Sequence, residues 1–143
     1  MERINQTLKI SADVKELEHV ISFCESVLDS QSCPLKVITQ ICVSVEEIFV
    51  NIANYAYPQQ TGECVLDMIV GASDGDEKNE MILHIRDNGK AFNPLLREDP
   101  DITLSVEERK IGGLGIWMVK QSMDEVDYRY EENWNILTIT KRW

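Results

Sequence analysis

No stretch of this sequence is apolar for long enough to cross a membrane as a helix. The opening residues, MERINQTLKISAD, lack the apolar centre of a signal peptide. Basic residues are scarce: 14 Lys and Arg stand against 25 Asp and Glu, for a net charge of -11. That balance argues against general binding to nucleic acid or to an anionic membrane. An anionic ligand would have to be held locally, by backbone N–H groups, a metal or a few cations. A basic protein partner is compatible with the charge. The four cysteines, Cys24, Cys33, Cys42 and Cys64, form no C-x-x-C pair, which argues against zinc. Cys24 and Cys42 fall in helical patterns and read as small core residues. A reduced, cytoplasmic protein is expected, and there the sequon Asn5-Gln6-Thr7 has no consequence. Internal repeats and low-complexity linkers are absent too. The 143 residues are enough for one domain, 1–143, with a sizeable core.

What is present is a succession of short periodic segments. INQTLKI alternates and predicts a strand. Asp13 is an N-cap candidate for a helix running to about Leu28, with Val14, Leu17, Val20, Ile21, Cys24, Val27 and Leu28 inward. SQSCP breaks it. A second helix is predicted from about Leu35 to Tyr57, stopped by Pro58, with Ile38, Ile41, Val45, Ile48 and Ile52 as its main stripe. ECVLDMIVGA and EMILHIRD predict strands joined by the acidic turn SDGDEKN. From about Gly89 to Lys110 no strong period appears, and a loop that long in a small domain is usually functional or mobile. GLGIWMVKQSMD predicts a short helix starting on glycines. EVDYRYEE and WNILTITKRW alternate and predict a closing hairpin. The expected architecture is α/β: a two-layer α/β sandwich, with a mixed, mostly antiparallel sheet and helices on one face.

Three places could carry chemistry. On the second helix, Glu47 and Asn51 lie ~40° apart in projection, and Tyr55 continues the row. Glu46 is ~140° from Asn51 and faces elsewhere. Such a pair alone also fits a solvated face, but its neighbours Ile48, Phe49, Val50 and Ile52 leave little of this helix for water. The second place is RDNGKAF, Arg86 to Phe92. Asn-Gly after an apolar strand is a hairpin signal, yet no matching strand follows at once. A carboxylate at a strand end beside a glycine can instead accept a base's amino group while backbone comes close. The third is KIGGLGIWMVK, Lys110 to Lys120, where glycines at a helix start can aim N–H groups at an anion. A flexible loop entering a helix fits it equally. It is neither a Walker A loop nor a dinucleotide fingerprint. DGDEKNE fails as a calcium loop, with Ile85 where the terminal Glu belongs.

Taken in order, these segments resemble the GHKL ATPase superfamily, whose Bergerat ATP-binding fold is the same α/β sandwich. The carriers are a helix with E-x-x-x-N, a strand ending in D-x-G-x-x-F, a long loop and a glycine-led helix. The resemblance spans nearly the whole chain. Its first strand and helix and its ending look most like bacterial anti-sigma factor serine/threonine kinases. The resemblance implies ATP and Mg²⁺ as cofactors. It makes Glu47 the general base and Asn51 the side-chain ligand of Mg²⁺. Asp87 would accept the adenine N6 amino group, and Gly89 would permit close approach. Tyr55 and Phe92 would line the same cofactor site. Gly113 and Gly115 would carry the phosphate-binding turn, with Lys110, Gly112, Leu114 and Ile116 beside them; Lys110 and Arg109, at the end of the preceding loop, fit phosphate contacts and solvated charges equally. The intervening segment, from about Phe92 to Lys110, would be a lid. Three departures are visible. Ile111 stands where the last box would begin with glycine, Asn54 where some members carry a phosphate-contacting lysine, and Asn135 where many carry an adenine-contacting threonine. Asn135 can still hydrogen-bond.

The resemblance implies an ATP-dependent serine/threonine protein kinase that regulates transcription by partner switching. One partner would be a sigma factor and the other an anti-anti-sigma protein whose serine is phosphorylated. It implies neither a nucleic-acid partner nor a membrane; family members are commonly dimers, which leaves a homodimer open. An ATP-holding regulatory module with little phosphotransfer is a second reading. The catalytic domain of a split histidine kinase is a third, although His19 falls in the first helix and His84 within a strand.

Overall fold

The computed structural model describes residues 3–58, 60–75, 77–96 and 114–143. Among the described residues five strands form one sheet: β1 (Ile4–Ser11), β2 (Glu63–Ala72), β3 (Asn79–Asp87), β4 (Glu125–Glu131) and β5 (Trp134–Arg142). Their order is β1-β2-β3-β5-β4, and each of these neighbouring pairs is antiparallel. The described α-helices, α1 (Leu17–Ser30), α2 (Leu35–Tyr55) and α3 (Leu114–Ser122), form the α layer.

Local chemistry explains most boundaries. The Asp13 carboxylate accepts the Lys15 N–H at 3.0 Å, so it caps as expected. The first turn it starts is a tighter 3-10 turn, Val14–Glu16, and the α-helix begins only at Leu17. Val14 is left 46% exposed there, although the helical pattern placed it inward. Ser32 adopts a positive φ of 58°, which turns the chain between α1 and α2. Helix α2 stops at Tyr55, two residues before its predicted end. Tyr57 precedes Pro58, which disfavours helical backbone, and its hydroxyl is engaged elsewhere. Glu132 and Asn133 both take positive φ, 52° and 70°, as a two-residue hairpin turn demands.

The core lies between the helices and one sheet face. Period two in the strands sends Cys64, Leu66, Met68 and Val70 of β2 and Met81, Leu83 and Ile85 of β3 inward, with Leu137 and Ile139 of β5. Helix α1 contributes Val20, Cys24, Val27 and Leu28, and α2 contributes Ile38, Ile41, Val45, Ile48 and Phe49. Ile52 packs against this core without full burial, and Cys42 does the same. At one end of β3, buried Glu80 pairs with Arg3 at 3.1 Å and with Arg142 at 2.8 Å. Ion pairs therefore tie that end across the sheet. The opposite end of β3, at Asp87, carries a different kind of chemistry.

Candidate nucleotide site at one end of the sheet

Helix α2 brings the first pair together. The Asn51 amide Nδ2 donates to Glu47 Oε1 at 3.1 Å, and both side chains are half-buried. Residues four apart on a helix are neighbours, so the sequence spacing is sufficient for this contact. With Nδ2 turned to the carboxylate, Oδ1 is the amide atom left for a cation. An oxygen of this kind suits Mg²⁺, a hard ion that keeps several waters and shares phosphate oxygens. Among the described residues, no cluster of three or more His, Cys, Asp or Glu is placed to hold a metal. One amide oxygen plus phosphates is the donor set this site offers. Tyr55 ends the row at 69% exposure.

Gly115, in the first turn of α3, lies directly on Glu47. A Cβ there would sit 2.6 Å from Glu47 Oε2 and closer still to Cδ and Oε1. Only a glycine lets α3 approach this carboxylate so closely. The positive end of the α3 dipole favours negative charge at that place. A groove of about 300 Å³ opens beside it, with Glu46, Glu47, Gly115 and Met118 in its lining. Glu46 is exposed at the rim. Ile116 is 4% exposed and its side chain belongs to the core, not to a ligand surface. Leu114 is the first residue of α3. Lys110, Gly112 and Gly113, with Arg109 and the predicted lid beyond Leu96, lie outside the described residues.

Asp87 closes β3 and is 5% exposed. Register places it between Cys64 of β2 and Asn135 of β5. Its Oδ1 accepts the Gly89 N–H at 3.0 Å and the Asn135 Nδ2 at 3.0 Å. Oδ2 is then the acceptor available to an incoming N–H donor. Burial pushes the carboxyl above the ordinary Asp range, and the hydrogen bonds from Asn135 and Gly89 pull it back in part. Gly89 is required by a protein contact: a Cβ there would lie 2.7 Å from the Ala56 carbonyl carbon. The Lys90 N–H also donates to Ala56 O at 2.8 Å. The close approach at Gly89 is thus to the end of α2, which locks the turn carrying Asp87 against the helix carrying Asn51. Phe92 is 51% exposed, and its N–H donates to Asn135 Oδ1 at 3.2 Å.

Two tyrosines belong to this end without having been read from the sequence. Tyr57 donates to Glu63 O at 2.6 Å and accepts the Asn88 N–H at 2.8 Å, joining α2 to both strand ends. Tyr128 donates to Asn135 Oδ1. Alternation in β4 puts Tyr128 on the inner face with Val126, which was the one available signal. Nothing in the chain around Pro58 announces the role of Tyr57.

Comparison with known proteins follows the same line. A family model described as a histidine kinase-like ATPase domain matches residues 10–141. A serine/threonine-protein kinase of Bordetella bronchiseptica, BtrW, is 33% identical over 63 residues, 44% of each chain. The serine-protein kinases RsbW of Bacillus thuringiensis and Bacillus cereus are 27% identical over 99 residues, 66% of this chain and 58% of theirs. The matched segments thus span about half the length of these curated relatives.

Proposed function

The chain belongs to the histidine kinase-like ATPase domain family, and from that premise we propose that it is an ATP-dependent serine/threonine protein kinase of the anti-sigma-factor type. In this reading Asp87 Oδ2 accepts the adenine amino group. Asn51 Oδ1 is the protein's ligand to Mg²⁺. A Mg²⁺ ion held there would supply positive charge to offset that of the phosphates. The first turn of α3 supplies N–H groups to the phosphates. Glu47 orients the acceptor hydroxyl and takes its proton as the oxygen bonds to the γ-phosphorus. The bond to the β-phosphate oxygen breaks, and ADP leaves.

The observation that carries the reading is the meeting of Glu47, Asn51 and Gly115. A carboxylate stands within a hydrogen bond of an amide suited to Mg²⁺ and against the glycine of an anion-favouring helix start. The groove beside Glu47 gives an acceptor hydroxyl a way in. The names of the relatives, serine or serine/threonine kinases, support the same reaction class. The proposed setting is cytoplasmic partner switching, with a sigma factor and an anti-anti-sigma acceptor as partners and a homodimer as the unit. All described cysteines are free thiols, and no helix among the described residues is long and apolar enough to cross a membrane.

Incubating the protein with labelled ATP, Mg²⁺ and a cell extract tests this. Label transferred to serine or threonine of a small protein supports the kinase. ATP binding without transfer to any protein, including the cognate acceptor, would leave an ATP-holding regulatory module.

A further inference from the structure

We propose that Tyr128 and Asn135 form a brace that positions Asp87 and thereby sets the preference for a purine with an amino group at its 6-position. The inference rests on reading Asp87 as the base acceptor.

Asn135 opens β5 opposite Asp87 and is 6% exposed. Its Nδ2 donates to Asp87 Oδ1 and to Lys90 O, each at 3.0 Å. Its Oδ1 accepts the Phe92 N–H at 3.2 Å and the Tyr128 hydroxyl. A side-chain amide has two N–H donors and an oxygen with two lone pairs. All four are occupied, so Asn135 has no capacity left for a base. The residue that replaces the family's threonine therefore acts on Asp87 and on the 90–92 segment.

The partners also fix which way the amide points. Phe92 N–H can only donate and Lys90 O can only accept. A flipped amide would set its NH₂ against a donor and its oxygen against acceptors. Tyr128 adds a second donor to the oxygen side. With Oδ1 of Asp87 held by Asn135 and Gly89, the carboxylate cannot swing, and Oδ2 faces the ligand as a pure acceptor. An amino group at the purine 6-position meets it favourably, whereas a carbonyl oxygen there would meet lone pairs. The Asn135 hydrogen bond favours the acceptor form of the carboxylate and so opposes, in part, the upward push of burial.

The test compares ATP with ITP, which differs at that position, by calorimetry on the full chain with Mg²⁺. Wild type is expected to favour ATP. Tyr128→Phe should lose about two- to tenfold in ATP affinity, the range of one hydrogen bond. ITP affinity should change less, so the ATP-to-ITP ratio should fall. Asn135→Leu should lower the ratio further. A merely structural role would weaken both nucleotides equally. If Asn135→Leu does not fold, Tyr128→Phe still decides, because it removes only one hydroxyl. An unchanged ratio in Tyr128→Phe, or no ATP preference in wild type, overturns the brace. Asp87→Ala without effect on ATP binding overturns the reading beneath it, so the two failures can be told apart.

Discussion

Gly115→Ala is the smallest change that should move the proposed base without touching it chemically. The added Cβ would lie 2.6 Å from Glu47 Oε2, where ordinary contact begins at 3.4 Å. Backbone cannot yield easily at this packed helix start, but the end of a glutamate can. Oε1 and Cδ lie closer still, so the carboxylate should retreat by more than ~1 Å to restore a normal contact distance. That motion stretches or breaks the 3.1 Å bond from Asn51. A misplacement of ~1 Å in a positioning group can reduce a rate on the order of a hundredfold. The fold should not suffer: alanine is favoured over glycine within a helix by up to ~1 kcal/mol. Rapid-quench phosphotransfer to the cognate acceptor should thus fall about a hundredfold, with melting temperature held or raised. In a Glu47→Ala background the same glycine change should add nothing, because the side chain it displaces is gone. Wild-type phosphotransfer in Gly115→Ala would refute this account of the glycine. So would full additivity of the two substitutions.

Other outcomes follow from Asp87 and from the thiols. Asp87→Ala should weaken ATP binding by ~1–3 kcal/mol in calorimetry, the usual cost of losing a buried hydrogen-bonding partner; equal affinity would remove Asp87 from base recognition. Asp87→Asn should melt higher than wild type in nucleotide-free protein at neutral pH. The folded carboxyl titrates above the ordinary Asp value, so the fold loses stability as pH rises through that value, and the neutral amide escapes the loss. The gain should vanish as pH falls below the carboxyl range, and a gain that persists at low pH would contradict it. Wild-type ATP affinity should itself decline as pH falls through the raised Asp87 value, since only the ionised form is a pure acceptor. Burial pushes Cys33 and Cys42 up to about 11 and Cys64 up to about 12, and raises Cys24 as well. Alkylation of the native protein at pH 7.5 should be on the order of a hundredfold slower than that of a free thiol; one thiol reacting at the free rate would show a different environment.

The sheet and helices were legible because their signals are local. ECVLDMIVGA reads as a strand from its short apolar run, and period 3.6 around Ile38, Ile41, Val45 and Ile48 names an inner face; the structure forms the strand, and it buries Ile38, Ile41, Val45 and Ile48. The adjacency of Glu47 and Asn51 was legible for the same reason. Contacts between distant segments were not. Gly89 meets Ala56, and Gly115 meets Glu47, across separations that no spacing rule covers. Both glycines stand out in the sequence, but what they make room for is set by tertiary packing. Asn135 was read as a hydrogen-bonding residue, and its full set of partners became visible only once β5 lay beside β3. Tyr57 was read as the last turn of a helix; instead its hydroxyl bridges Glu63 and Asn88.

The most direct test of the kinase reading is phosphotransfer by Glu47→Ala beside Glu46→Ala. Glu46 sits on the rim of the same groove, so its removal controls for the loss of one acidic charge. Each variant is given Mg–ATP and the cognate acceptor, and ATP binding is measured in parallel. The account predicts that Glu47→Ala binds Mg–ATP normally and loses ~10²–10⁴-fold in transfer rate, the contribution of a general base. At saturating acceptor, Glu46→Ala should transfer at the wild-type rate. Full transfer by both variants would contradict the account.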